Sequence, residues 1–172
     1  MKFKLIIWSL FICCSAFSQI NQEIEDPKHE EMILIDEVNK AGMQQGEYET
    51  WFTPEYESYA MDLEIVEQLK LQLKEHKNLK IMIFMATWCH DSREQLPRFY
   101  KIFDQLTSDV ELKVYGLDEL KTCPSLNVPD YNIELVPTFI FYSNEQEIGR
   151  ITETPELSLE ADFLSIIKTG SK

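Results

Sequence analysis

The chain has 172 residues, 44% of them hydrophobic and 12% aromatic, which is enough apolar material for one packed domain and too much for wholesale disorder. It carries 30 acidic and 16 basic residues, a formal charge of −14. That surface repels phosphate backbones and argues against nucleic-acid binding; its plainest use is solubility.

The first residues form a secretory signal pattern. Lys2 and Lys4 precede an apolar run from Leu5 to Cys14, and Ala16-Phe17-Ser18 places small residues where a signal peptidase reads them. Cleavage is expected after Ser18, with export to the periplasm or beyond. Loss of Lys2 and Lys4 takes the charge from −14 to −16. The run is too short to span a bilayer, which takes about 20 apolar residues. Cys13 and Cys14 leave a lipoprotein site as the second reading, disfavoured by the bulk of Ile12. The mature chain then keeps two cysteines, Cys89 and Cys123, too few for a disulfide scaffold.

Residues 19–61 are expected to form an N-terminal helical extension, opening with a flexible polar lead-in over residues 19–30. An aromatic cluster follows at Tyr48, Trp51, Phe52, Tyr56 and Tyr59. Rings of this size are core material first and a partner-binding face second. The main domain is expected over residues 62–172. Asp62 caps a helix with Leu63, Val66, Leu69 and Leu73 at helical spacing, running to Lys77-Asn78. Leu79 to Ala86 reads as a strand buried on both faces. A helix after Cys89 places Leu96, Phe99, Phe103 and Leu106 on one stripe. Val110 to Leu117 reads as a strand, and residues 118–134 as a loop holding at most a short helix begun by Pro124. Thr138 to Tyr142 and Glu147 to Ile151 form a hairpin around Ser143-Asn144-Glu145-Gln146. A last helix runs from Ser158 to Lys168 and stops at Gly170. The order predicts an α/β domain with a central mixed sheet flanked by helices, and a parallel, right-handed strand–helix–strand unit over residues 79–117.

Cys89 falls where the buried strand meets the following helix. A helix start carries unpaired N–H groups and partial positive charge, and a thiol placed there ionises more easily. His90, when protonated, pushes the same way, and Asp91 pushes the other way or supports the helix N-terminus. Cys123 reads first as a half-buried structural cysteine.

These residues resemble a known family. Thr87-Trp88-Cys89-x-x-Ser92 after a hydrophobic strand resembles the thioredoxin motif Trp-Cys-x-x-Cys, with Ser92 at the second cysteine position. Pro97 stands eight residues after Cys89, where thioredoxin-like proteins carry a helix-kinking proline. Val136-Pro137-Thr138 resembles their cis-proline loop. The resemblance spans residues 62–169 and implies a thioredoxin-like fold of the exported bacterial type. It implies thiol–disulfide exchange through Cys89, with no cofactor, on protein or small-molecule thiols and disulfides. Trp88 and Pro137 would shape the substrate groove, and the backbone of Val136 would hold an extended peptide.

Two departures bear on the activity. Ser92 cannot close a disulfide, so the usual two-cysteine cycle is missing from the motif. Ile83 stands where the family carries a buried acid, six residues before the first cysteine. Three uses of Cys89 remain. It can perform monothiol exchange of reductase or isomerase type. It can pair with Cys123 as a relocated resolving thiol, given Cα atoms within about 7 Å. Or it can be inert in a peptide-binding or chaperone-like module. A metal site at Cys89, His90 and Asp91 is the weaker rival, because adjacent residues at a helix start do not converge on one ion. His29 and His76 lie in polar stretches and are expected in solvent. Asp118 is expected to solvate a loop or serve as an acid–base group. Nothing in the sequence sets the oligomeric state.

Overall fold

The computed structural model describes residues 20–170 other than 27, 29, 30, 77 and 107–109. The signal pattern of residues 1–18 and His29 lie outside them. Strand β3 (Leu79–Met85) runs through the centre of a six-stranded sheet of order β1-β2-β4-β3-β5-β6. Its neighbours are β4 (Glu111–Gly116), parallel to it, and β5 (Thr138–Ser143), antiparallel. Strand β6 (Gln146–Thr152) completes the hairpin with β5. The sheet is therefore mixed, as expected.

Alternate residues of β3 point to opposite faces, and both faces are dry. Leu79, Ile81, Ile83 and Met85 join the larger core. Met82 and Phe84 join a second cluster that runs on to Ala86, Leu117, Cys123 and Val136. The larger core is roofed by α2 (Gly46–Ser58), α3 (Leu63–Leu73), α4 (His90–Phe103) and α5 (Leu159–Thr169). Phe99 of α4 sits at its centre, with ring centroids 5.0 Å from Phe139 and 6.0 Å from Phe163. The second face is covered by the segment between β4 and β5, whose one helical turn is a 3-10 helix at Val128–Tyr131.

Capping follows the sequence. Asp62 accepts hydrogen bonds from the backbone N–H groups of Glu64 and Ile65 at 2.9 and 3.2 Å. Ser158 accepts one from Ala161 at 3.2 Å. The hairpin turn is tighter than expected. Asn144 and Glu145 both adopt positive φ, 50° and 63°, which matches the twist of a two-residue turn. Pro124 does not start a helix; Cys123 and Leu126 instead form an isolated bridge, and the short helix starts four residues later at Val128, with Pro129 in its first turn.

The N-terminal extension differs most from expectation. Besides α1 (Lys40–Met43) and α2 it contributes two strands, β1 (Gln22–Glu25) and β2 (Met32–Val38), which lengthen the sheet beyond β4. The residues read as a polar lead-in thus include a strand. Its sequence, Gln-Glu-Ile-Glu, has no apolar face of its own, and it forms by pairing with β2 at the sheet edge, Gln22 opposite Ile35. In β2, Ile33, Leu34 and Ile35 are consecutive and all buried, so the strand shows no alternation to read. Asp36 adopts φ 68° inside this strand, opposite Gly116. Gly116 is required there: a Cβ would lie 2.2 Å from the Leu34 carbonyl oxygen.

The aromatic cluster packs against the domain. Phe52 is fully buried and meets Tyr100 of α4 edge-on at 5.8 Å. Around it, Arg98 pairs with Glu55 at 2.6 Å and the Tyr56 hydroxyl donates to Asp104 at 2.7 Å. Glu160 of α5 is buried and accepts hydrogen bonds from the Tyr59 hydroxyl and the Asp62 amide, each at 2.7 Å. The extension is thereby tied to α4 and α5 together. Phe52→Ala should cost about 3–5 kcal/mol in urea unfolding, the usual cost of deleting a core ring. A loss below about 1 kcal/mol would mean that α2 does not share the core.

Candidate active site

The site is built where β3 ends. The apolar run stops at Ala86, and Thr87-Trp88 turn the chain into α4. Cys89 is the N-cap residue of that helix, with extended backbone (φ −86°, ψ 127°). Its amide donates to the Ala86 carbonyl at 3.1 Å, and its own carbonyl accepts the Arg93 amide at 3.1 Å. Its side chain caps nothing and is half-buried. The thiol instead donates to the Val136 carbonyl at 3.1 Å. The Val136–Pro137 peptide bond is cis, and both residues are buried beside the sulfur.

Each neighbour in the motif has a defined task. Trp88 donates its indole N–H to the Leu117 carbonyl at 3.2 Å, holding the ring across the end of β4. Ser92 is fully buried, and its hydroxyl accepts the Ala86 amide at 3.2 Å. This bond ties the first turn of α4 to the end of β3. Asp91 stands in that first turn, half-buried, where a carboxylate is stabilised by the helix N-terminus. His90 is exposed. Pro97 lies within α4, buried. Among the described residues there is no group of three or more His, Cys, Asp or Glu side chains arranged for a metal ion.

Cys123 occupies a different environment. It is buried at 6% exposure, and its thiol donates to a carboxylate oxygen of Asp36 at 3.4 Å. Burial pushes this thiol above its ordinary pKa, and the Asp36 charge pushes the same way. Ser125 shares the same Asp36 oxygen. Cys89 packs on the apolar cluster that contains Cys123, and both are free thiols. Asp118 accepts the Thr122 amide at 2.7 Å and the Thr122 hydroxyl at 2.6 Å, so it holds the loop that carries Cys123.

Sequence reasoning missed Asp36, Ser125 and Arg93. Asp36 was signalled by an acid inside the apolar run of residues 32–38. Arg93 donates its Nε to the Thr87 carbonyl, and its Nη2 lies 4.0 Å from Glu31. Only the docked extension makes that second contact legible.

A half-buried thiol at a helix start faces a cis X-Pro bond at the end of a mixed sheet flanked by helices, in a thioredoxin-like α/β fold. The thioredoxin family model matches residues 60–165, and the chain belongs to the thioredoxin family. It is similar to thioredoxin H-type 1 of Nicotiana tabacum, with 30% identity over 86 residues, half of this chain and 64% of that one. Thioredoxin of Mus musculus is 29% identical over 85 residues, 49% of this chain and 76% of the mouse protein. Among solved structures, the reduced thioredoxin pre-protein of Schistosoma mansoni superposes with a TM-score of 0.40 at 28% identity, over 58% of this chain and 87% of that one. The match spans less than two thirds of the tobacco relative's length.

The contrast between the two thiols has a direct readout. In the folded protein at pH 8, iodoacetamide should modify Cys89 well before Cys123, and 6 M urea should erase the difference. Equal rates in the folded state would show that Cys123 is not held in its buried contact with Asp36.

Proposed function

We propose that this chain is an exported monothiol thiol–disulfide exchange protein in which Cys89 is the nucleophile. The observation that carries the reading is the pairing of an accessible Cys89 with a buried Ser92 whose hydroxyl is already engaged by the Ala86 amide. The motif holds one thiol and no second sulfur.

The Cys89 thiolate attacks one sulfur of a substrate disulfide. The substrate S–S bond breaks, a new bond joins Cys89 to the attacked sulfur, and the other substrate sulfur leaves as thiolate and takes a proton. Two routes end the cycle. A second substrate thiol can attack the attached sulfur, expel the Cys89 thiolate and leave a rearranged substrate disulfide, with no net redox change. Alternatively, small external thiols release the substrate as a free thiol, two of them being oxidised to one disulfide for each substrate disulfide reduced. The Val136 carbonyl, which accepts a hydrogen bond from the resting Cys89 thiol, marks where an extended substrate backbone would lie.

Export rests on the signal pattern of residues 1–18, and a periplasmic or secreted location supplies disulfide-bearing substrates. Ser92 and the fully buried Ile83 also favour a second reading, a peptide-binding module on the same groove without thiol turnover. The two separate in one experiment. With glutathione present, the mature protein should accelerate reshuffling of a scrambled disulfide protein, and Cys89→Ser should return the rate to background. Cys123→Ser should keep most of the activity. If Cys89→Ser retains full rate, the nucleophile is misassigned; if the native protein shows no acceleration yet binds the substrate, the binding-module reading holds.

A further inference from the structure

A pocket of about 750 Å³ opens beside the motif, on the side of Trp88 away from the β5 hairpin. Its volume lies within the usual range for ligand sites, about 300–1,000 Å³. One wall comes from the motif and α4, through Thr87, Trp88 and Arg93. The other comes from the N-terminal extension, through strands β1 and β2 and the first turns of α2. The pocket therefore exists only because the extension docks next to the reactive cysteine.

Two observations indicate that it is meant to be filled. Thr87 and Tyr48 are buried, at 2% and 6% exposure, and both line the pocket. The Thr87 Oγ1 and the Tyr48 hydroxyl are buried without a hydrogen-bond partner. An unmet buried polar group is costly, and the Thr87 Oγ1, with no partner in reach, calls for a ligand that meets it. Charge then sets the kind of ligand. Among the described residues Glu23, Glu31 and Glu47 line the pocket with one cation, Arg93, whose Nε is already spent on the Thr87 carbonyl. Burial and the neighbouring Glu23 and Glu47 charges hold the Tyr48 hydroxyl in its neutral form. Each hydroxyl can accept as well as donate; Glu31 is shared with Arg93 at 4.0 Å, while Glu23 and Glu47 keep the lining acidic, and Trp51 adds an indole surface at the same wall. An ammonium or guanidinium on an aliphatic stem offers donors without acceptors and packs on indoles.

We propose that this pocket receives a lysine or arginine side chain of the polypeptide whose cysteine engages Cys89, so that the protein selects basic sequence around its target cysteines. The inference rests on the exchange reading for its biological meaning and on the pocket alone for its physics. Trp88 is both the residue before Cys89 and a wall of the pocket, which places the two subsites within reach of one extended peptide.

The test uses cysteine-free peptides, so that binding is read apart from thiol chemistry. Fluorescence anisotropy with the full mature chain compares a serine-centred peptide flanked by lysines with the same peptide flanked by glutamines. The lysine peptide should bind at least about 10-fold more tightly. The triple variant Glu23→Gln, Glu31→Gln, Glu47→Gln should lose that preference while keeping the glutamine-peptide affinity. A control triple, Glu75→Gln, Glu111→Gln, Glu145→Gln, has the same net charge and places its changes at the far end of the sheet, near the start of β3. It should keep the preference. Equal binding of the two peptides, or equal loss in both triples, overturns the proposal and leaves only general attraction to an acidic surface. Exchange activity measured in parallel separates the two ideas. Lysine preference without exchange removes the thiol reading and leaves the pocket standing. Exchange without lysine preference does the reverse.

Discussion

The rest of the molecule depends on one constraint, the burial of β3 on both faces. Ile81, Ile83, Phe84 and Met85 are all fully buried, so the strand has no polar side available to solvent. It must be covered by helices above and by the β4–β5 segment below, and its chain can reach solvent only at its end. That end is Ala86-Thr87-Trp88-Cys89. The Cys89 thiol lies where a dry strand gives way to a helix whose first N–H groups are unpaired. Ile83 fits the same logic. A carboxylate there would be desolvated within the core, at heavy cost unless a reaction made use of it. With Ser92 in place of a second thiol, no such use exists inside the motif.

Ser92 has a structural task. Its hydroxyl accepts the Ala86 amide from within the buried layer. A buried N–H left without a partner is costly, so the serine fixes the angle between β3 and α4. The position still serves Cys89, by holding the helix start beneath it. Buried carboxylates appear elsewhere instead. Asp36 lies against Cys123 and Ser125, and Glu160 gathers Tyr59 and Asp62. Both lie at or next to contacts that the N-terminal extension makes with the main domain.

Much of this was legible in the sequence, for identifiable reasons. The stretch from Leu79 to Ala86, the helix stripe of Leu96 and Phe99, and the caps at Asp62 and Ser158 are local signals and needed no tertiary information. The motif around Cys89 combined with Val136-Pro137 marked the fold, because two separated motifs in order leave few alternatives. What escaped was non-local. Gln22–Glu25 is polar and becomes a strand only through its partner β2. Leu34 packs its carbonyl against Gly116, 80 residues from Asp36, in the space a side chain would fill. The pocket beside Trp88 joins residues 23–51 to residues 87–93, and neither segment announces it alone.

The added strands have a consequence at the sheet's margins. A sheet lengthened at one side ends in a new row of unpaired backbone groups, which invites a strand from another molecule. Here the new border is β1, where Glu23 and Glu25 are both exposed. Two copies meeting along that border would bring their four carboxylates to within about 5 Å of strand spacing. The opposite border, β6, carries Glu147 and Arg150, the latter turned back onto Glu147 and the Tyr131 carbonyl. The extension thus brings its own stop: it supplies two strands to the sheet and, in the second to pair, a charged fringe that discourages a third.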